Sequence, residues 1–301
     1  MRTLALTLLA ALAFLFNSTS AQSPPTPPDV QLIVRTRTKQ STFHIGEVVP
    51  LELAFTSTSR DKYQLDTASY DRSGRLNEDK FFVEPSKGWD DPLELYYHSY
   101  LGLIGGGLRG SRILSPDPTT ISLELNEWVR FKDPGQYRVK INSERVFGTR
   151  GNPEVRIYNI PSNELILTII PATKEWQESS LRAAIETLDS PRTGTPVGKE
   201  ADLRRDAVKV LRYLGSRGAV REMARRLIGS EWDWDFQAGL VGSRARSVAI
   251  EEMEKLLGEA DFPVTDRFLD TMSVLALQED EVDSLPAQRE KAEAQFRQQL
   301  I

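Results

Sequence analysis

"LNEWVRFKDPGQYRVKI", residues Leu125 to Ile141, places a turn between two strand-like runs. Pro134 pre-sets the backbone for that turn and Gly135 permits a positive φ. Beyond it Tyr137, Val139 and Ile141 alternate with Arg138 and Lys140, the period of two expected for a strand with one buried face. Just upstream, "ISLEL" sets Ile121, Leu123 and Leu125 on the same alternation. A tyrosine two residues past a turn glycine supplies a ring for the core and a hydroxyl for a backbone group at the corner.

The same period recurs toward the N-terminus. "VPLELAFTS" sets Leu51, Leu53 and Phe55 against Glu52, Ala54 and Thr56, and "FHIGEVVPLEL" bends at Gly46, which makes His44 a strand residue. "ELILTII" is apolar on both faces and is expected to be a central strand. Turn signals such as "RSGR" and "DPGQ" separate these runs. Short strands without interleaved helices predict an antiparallel β-sandwich over residues 30–171.

Asp133, Gly135 and Tyr137, with Trp128 ahead of them, resemble the tyrosine corner of immunoglobulin-like sandwiches, in which the hydroxyl returns to backbone across the corner. The residue two places after that tyrosine is Val139, where antibody domains carry a disulfide cysteine. The resemblance is therefore to cysteine-free sandwiches of the fibronectin, macroglobulin-domain or bacterial proteinase-inhibitor-like kind. It implies a structural role for Trp128, Asp133, Gly135 and Tyr137.

Past Pro171 the period lengthens. "SLRAAIETL" puts Leu181, Ala184, Ile185 and Leu188 on one helix stripe, and "ADLRRDAVKVLRYLG" does so with Leu203, Ala207, Val210, Leu211 and Leu214. Two segments echo each other: Gly-Ser-Arg begins at Gly215 and again at Gly242, followed by Ala-(Val/Ile)-x-Glu-Met at Ala219 and Ala249. In each copy the glycine ends a helix, Ser216 or Ser243 can cap the next, and Met223 or Met253 is expected inside. The pattern resembles HEAT-type helical repeats, over an all-α region assigned to residues 172–301. Pro263 is expected to open a helix with Phe268, Leu269, Met272 and Leu275 inside, and Pro286 a last one.

The first residues read as a secretory signal peptide. Arg2 precedes an apolar run from Leu4 to Phe16 that is too short to span a bilayer, and small residues lead to a cleavage position after Ala21. A proline-rich spacer, residues 22–29, follows. The expectation is an exported protein, periplasmic or extracellular, with no transmembrane span once the leader is removed. The 301 residues hold no cysteine, so packing rather than disulfides must support the fold. A formal charge of −5 argues against a dedicated nucleic-acid binder. Two histidines are too few for a histidine-rich metal site, and no cofactor is expected.

No nucleophile elbow, phosphate loop, zinc helix or calcium loop occurs in the sequence. "LIGGGLRG" lacks the lysine and the spacing of a phosphate loop. Two regions suit binding instead. Trp89, Tyr96 and Tyr100 lie in a long glycine-containing stretch between Pro85 and Pro118, where aromatic side chains with polar tips suit an interface. Between Lys199 and Arg226 nine basic residues, Arg217, Arg221 and Arg225 among them, face four acids, and Trp232 and Trp234 follow in "SEWDWD". Exposed, that basic face would attract an acidic partner; otherwise neighbouring acids neutralise it within the fold.

The sequence thus predicts α+β architecture in two domains and a non-catalytic binding or scaffolding protein with a protein partner, its oligomeric state open. A proteinase-inhibitor-like module is the alternative. A glycan or peptide hydrolase using Asp90, Asp91 and Glu94 is a further one.

Overall fold

A computed structural model describes residues 26–68, 78–94, 96, 110–149, 157–191 and 198–276. The leader, residues 22–25 of the proline-rich spacer, Tyr100, Gly105, Gly106 and Gly107 of "LIGGGLRG" and the helix expected after Pro286 lie outside the described residues.

Strands occupy the N-terminal part: β1 (Val30–Thr36), β2 (Thr42–His44), β3 (Pro50–Ser57), β4 (Tyr63–Asp66), β5 (Asp79–Glu84), β6 (Trp89–Asp90), β7 (Ser111–Ile113), β8 (Thr119–Glu124), β9 (Arg130–Phe131), β10 (Gly135–Gly148), β11 (Ile157–Pro161) and β12 (Leu165–Ile170). Six helices follow among the described residues: α1 (Lys174–Asp189), α2 (Lys199–Leu214), α3 (Arg217–Arg225), α4 (Asp233–Val241), α5 (Arg246–Leu257) and α6 (Asp266–Ala276).

β1, β3 and β8 form an antiparallel three-stranded sheet. Its alternation is the one written in the sequence, with Leu51, Leu53 and Phe55 paired to Leu123, Ile121 and Thr119. The larger sheet runs β2-β12-β10-β4-β7, with β5 and β11 also paired to β10, and β2 parallel to β12 makes it mixed. The inner faces of the two sheets share one apolar core: Leu32, Leu53 and Leu123 from one, Tyr137, Ile141 and Leu167 from the other.

The fourteen-residue β10 carries buried Tyr137, Val139, Ile141, Ser143 and Arg145 at strict alternation. A register shift between Ser143 and Val146 then turns Val146 inward as well. β12 lies between β2 and β10, a central strand as expected, but it is covered on one face only. Only Leu167 and Ile169 are buried, while Ile166 on the opposite face is 46% exposed. Part of the spacer is tied down too: Asp29 accepts hydrogen bonds from Ser59, Lys62 and Tyr63, the last at 2.7 Å.

In the helical part neighbours alternate in space, α1 beside α3 and α3 beside α5 in one row, α2 beside α4 and α4 beside α6 in the other. A second core, built on Leu211, Val220, Met223, Phe236, Met253 and Phe268, lies between the rows. On α2 the buried stripe is rotated from the expected one: Arg204, Ala207, Val208, Leu211 and Leu214 face inward, and Leu203 is 54% exposed. Arg204 can be buried because its Nη1 and Nη2 donate to the Leu188 and Ser190 carbonyls, which satisfies the two terminal nitrogens of the guanidinium.

The two Gly-Ser-Arg segments have different reasons. Gly215 ends α2 in the left-handed conformation, φ 65°, and Ser216 accepts a hydrogen bond from the Ala219 amide at 3.3 Å to cap α3. Gly242 has an ordinary φ of −77°, but a Cβ there would sit 2.7 Å from the Pro92 carbonyl. Ser243 makes a local turn with Ala245 rather than the cap of α5.

Candidate functional site

α2 meets the turn after β8 through a seam of charged side chains, and α4 and α6 meet the segment around Leu93 and Tyr96. A tight helical turn, Leu125–Glu127, leaves β8 and presents Asn126 and Glu127. Asn126 splices the preceding chain: its Oδ1 accepts from the Val49 amide at 2.7 Å and its Nδ2 donates to Glu47 O at 2.9 Å. Glu127, 4% exposed, then accepts from Arg212 Nη2 at 2.8 Å and from the Tyr213 hydroxyl. Arg212 Nη1 reaches Asp235 at 2.9 Å, and Lys209, one turn back on α2, binds Glu124.

Burial pushes the Tyr213 hydroxyl well above the ordinary tyrosine range, against the Arg212 charge and aided by Glu127. Burial likewise raises Asp235, although Arg212 draws it back. This seam is a structural network of alternating charges, in which each carboxylate is held by a cation.

The chain fits closely on both sides of it. At Gly46, φ 86°, an added Cβ would lie 2.9 Å from Leu214 O and 3.0 Å from Tyr213 O, so the β2–β3 turn sits directly on the end of α2. His44 stacks on Trp176 of α1 at 4.5 Å between ring centroids. Leu93 and Tyr96 join Ala238, Val241 and Val274 in a small apolar cluster.

Between these contacts lies a cleft of about 100 Å³, lined by Glu47, Arg130, Phe131, Tyr213, Ser243 and Arg244 among others. Arg130 forks onto Asp90 at 2.7 and 2.6 Å and donates its remaining Nη1 to Gly242 O. Lys132 also binds Asp90, at 2.8 Å. Those donors hold the Asp90 carboxyl below its usual range, against the effect of its burial.

Arg244 differs from its neighbours. It makes no hydrogen bond and no ion pair among the described residues. It reaches solvent, yet the cleft walls desolvate it and Arg130 repels it, so its basicity is lowered; Asp90 and Asp133 act on it in the opposite sense without pairing. It stays protonated, because an arginine starts near 12.5. A guanidinium with unspent donors at the mouth of a cleft between two structural parts is a ready receptor for a carboxylate.

The residues singled out in the sequence fall elsewhere. Trp89 packs against the sheet core and donates Nε1 to Pro85 O at 3.0 Å. Tyr96 is 5% exposed inside the seam cluster, where burial pushes its hydroxyl up to about 12. Tyr100 lies outside the described residues. Arg217, Arg221 and Arg225 stand on α3 in the outer row and pair with Glu252, Glu252 and Glu259 at 2.9, 3.8 and 3.5 Å. The acids that offset this basic face therefore come from α5 and the turn after it. From "SEWDWD", Asp235 pairs with Arg212 on α2. Trp234 lies under Arg267, whose guanidinium is 3.4 Å from its ring centre, and Trp232 is half-buried in a cavity wall.

At the corner, the Tyr137 hydroxyl donates to Asp133 O at 2.9 Å and lies 3.1 Å from Gly88 O. Trp128 is buried against Phe81, with ring centroids 4.7 Å apart.

The seam residues Glu127, Arg212, Tyr213 and Arg244 were missed in the sequence. One signal was available: Glu124 and Glu127 are three apart, as are Lys209 and Arg212, and the two pairs meet in register. No protein-family model matches this chain, and no curated protein matches it.

Proposed function

We propose that this is an exported, non-catalytic binding protein, built from an immunoglobulin-like sandwich and a HEAT-like helical array held as one rigid unit. Its partner is a protein that presents an acidic side chain to the seam. The observation that carries this reading is Arg244, a guanidinium without a partner among the described residues, in a cleft whose other arginines, Arg130 and Arg212, are bound to carboxylates.

Three features support the architecture. The Tyr137 hydroxyl bonds to backbone four residues upstream, as a tyrosine corner requires. The two sheets share one core. The helices alternate between two rows, as stacked helical pairs do.

Binding is also favoured over hydrolysis by the acids on which the hydrolase alternative rests. Asp90 is taken up by Arg130 and Lys132, and Asp91 caps the Leu93 amide at 3.0 Å. A proteinase-inhibitor role would depend on an exposed loop, and residues 97–109 lie outside the described part.

The test is affinity capture from a cell-envelope extract with the wild-type chain, Arg244→Glu and the control Lys87→Glu. A protein retained by wild type and the control but lost with Arg244→Glu is expected. Equal retention by all three, or turnover of a peptide or glycan substrate, would contradict the proposal.

A further inference from the structure

A second cavity lies away from the seam, at the end of the helical array that holds α1. Leu188 of α1, Arg204 of α2, Phe236 of α4 and Arg226, Ile228 and Trp232 from the connection between α3 and α4 line a half-open space of about 150 Å³. Its walls are mainly carbon. A space of roughly that size holds one benzene ring.

Three buried N–H groups carried by these lining residues have no hydrogen-bond partner among the described residues: Arg204 Nε, Arg226 Nε and Trp232 Nε1. Buried donors in native interiors nearly always find an acceptor, and these three have none among the described residues, so a bound group that brings one would satisfy them. Three further nitrogens of the two guanidinium groups are engaged. Arg204 Nη1 donates to Leu188 O at 2.9 Å and Nη2 to Ser190 O, while Arg226 Nη2 binds Asp189 at 2.6 Å and lies 3.4 Å from Glu222.

Charge selects the kind of acceptor. Glu200, 3.6 Å from Arg204 Nε, joins Asp189 and Glu222 to set three carboxylates against two guanidinium groups. The nearby Asp233 carboxylate is spent on the Gly229 and Ser230 amides, at 2.9 and 2.8 Å. A further anion would meet repulsion, so the missing acceptor is uncharged.

We propose that this cavity is a binding site for an uncharged ligand about one aromatic ring in size that carries a hydrogen-bond acceptor, such as a carbonyl oxygen. Trp232 gives both a donor and a ring edge; Leu188, Ile228 and Phe236 give the apolar walls. The site is independent of Arg244 and of the protein-binding proposal.

The test follows the Trp232 indole N–H resonance of the full ¹⁵N-labelled chain, identified by its absence in Trp232→Phe. Four probes of similar size are titrated: benzamide, toluene, benzoate and protonated benzylamine. Benzamide is expected to move that resonance saturably, at concentrations about three- to tenfold lower than toluene, the factor that one net hydrogen bond confers. Benzoate and benzylamine are expected to bind more weakly than benzamide. Ile228→Trp, at the exposed rim, should fill the mouth and abolish the shift while the rest of the spectrum stays dispersed. No shift with any probe would overturn the proposal, as would equal binding of toluene and benzamide, tightest binding of either charged probe, or a shift that survives Ile228→Trp.

Discussion

Glu127 accepts a 2.8 Å hydrogen bond from Arg212 across 85 residues of chain, and through this contact the turn after β8 is fastened to the middle of the helical part. Both side chains are nearly inaccessible, 5% and 8% exposed. Removing one partner of such a pair leaves the other charge buried and uncompensated, which costs about 3–5 kcal/mol. Glu127→Ala is therefore expected to lose about that much in denaturant unfolding. A double-mutant cycle with Arg212→Ala should return a coupling of about 1–3 kcal/mol. A loss below about 1 kcal/mol would mean that the seam is not a stabilising contact.

Gly242→Ala tests the fit rather than the charge. The added methyl would lie 2.7 Å from Pro92 O and 3.3 Å from the Leu93 side chain. Backbone on one side of that contact cannot yield cheaply, so a destabilisation of about 1–3 kcal/mol is expected. Hydrogen exchange should quicken at Leu93 and around Ser243 while the sheet core stays protected. Unchanged exchange at both places would count against the close approach.

The acid limb of stability has two contributions of opposite sign. Burial would raise Asp29, yet hydrogen bonds from Ser59, Tyr63 and Lys62 lower it from 3.8 to about 2. The stability it lends is whole above 3.8 and is lost as pH falls from there toward about 2. Asp235 is raised by burial. What it lends is present below 3.8 and is lost as pH climbs through its raised value. Asp29→Asn should therefore lower stability at neutral pH and flatten the fall on acidification. Asp235→Asn should improve relative to wild type as pH rises out of the acid range. Unfolding curves across that range, read for the two variants separately, check both signs.

Another buried charge pair lies inside the sheets. Arg145 Nε donates to Asp79 at 2.7 Å, Nη1 donates to the Asp66 and Ala68 carbonyls, and neither side chain of the pair is exposed. Arg145→Met keeps the length of the side chain but strands Asp79, at an expected cost of about 3–5 kcal/mol. Asp79→Asn should cost less, because an acceptor remains. The reverse order would show that Asp79 is not held by Arg145.

Alternation made the strands legible: Leu51, Leu53 and Phe55 needed no information beyond their own neighbours, and Met223 and Met253 were placed inside by the echo that carries them. Local patterns failed where a distant partner decides. Leu203 was expected inside, but two carbonyls at Leu188 and Ser190 favour burial of the Arg204 guanidinium and turn the stripe. Both faces of β12 were expected to be covered, but Ile166 is exposed, because composition cannot tell a face that is covered from one that is not. Tyr96 belongs to a cluster completed by α4 and α6, about 140 to 180 residues further on by count. The seam was the least legible part, since a carboxylate in a turn and an arginine on a helix look solvent-exposed until the fold brings them together.

The account depends on the sheets and the helices being one rigid unit, and the absence of cysteine from the sequence makes this easy to measure. Spin labels at Arg138→Cys on β10 and Glu254→Cys on α5, both exposed positions, report the distance between the two parts by pulsed electron paramagnetic resonance. A single narrow distribution, unchanged between low and high salt and broadened by Glu127→Ala, is the predicted result. A broad or salt-dependent distribution in the otherwise unaltered chain would contradict it.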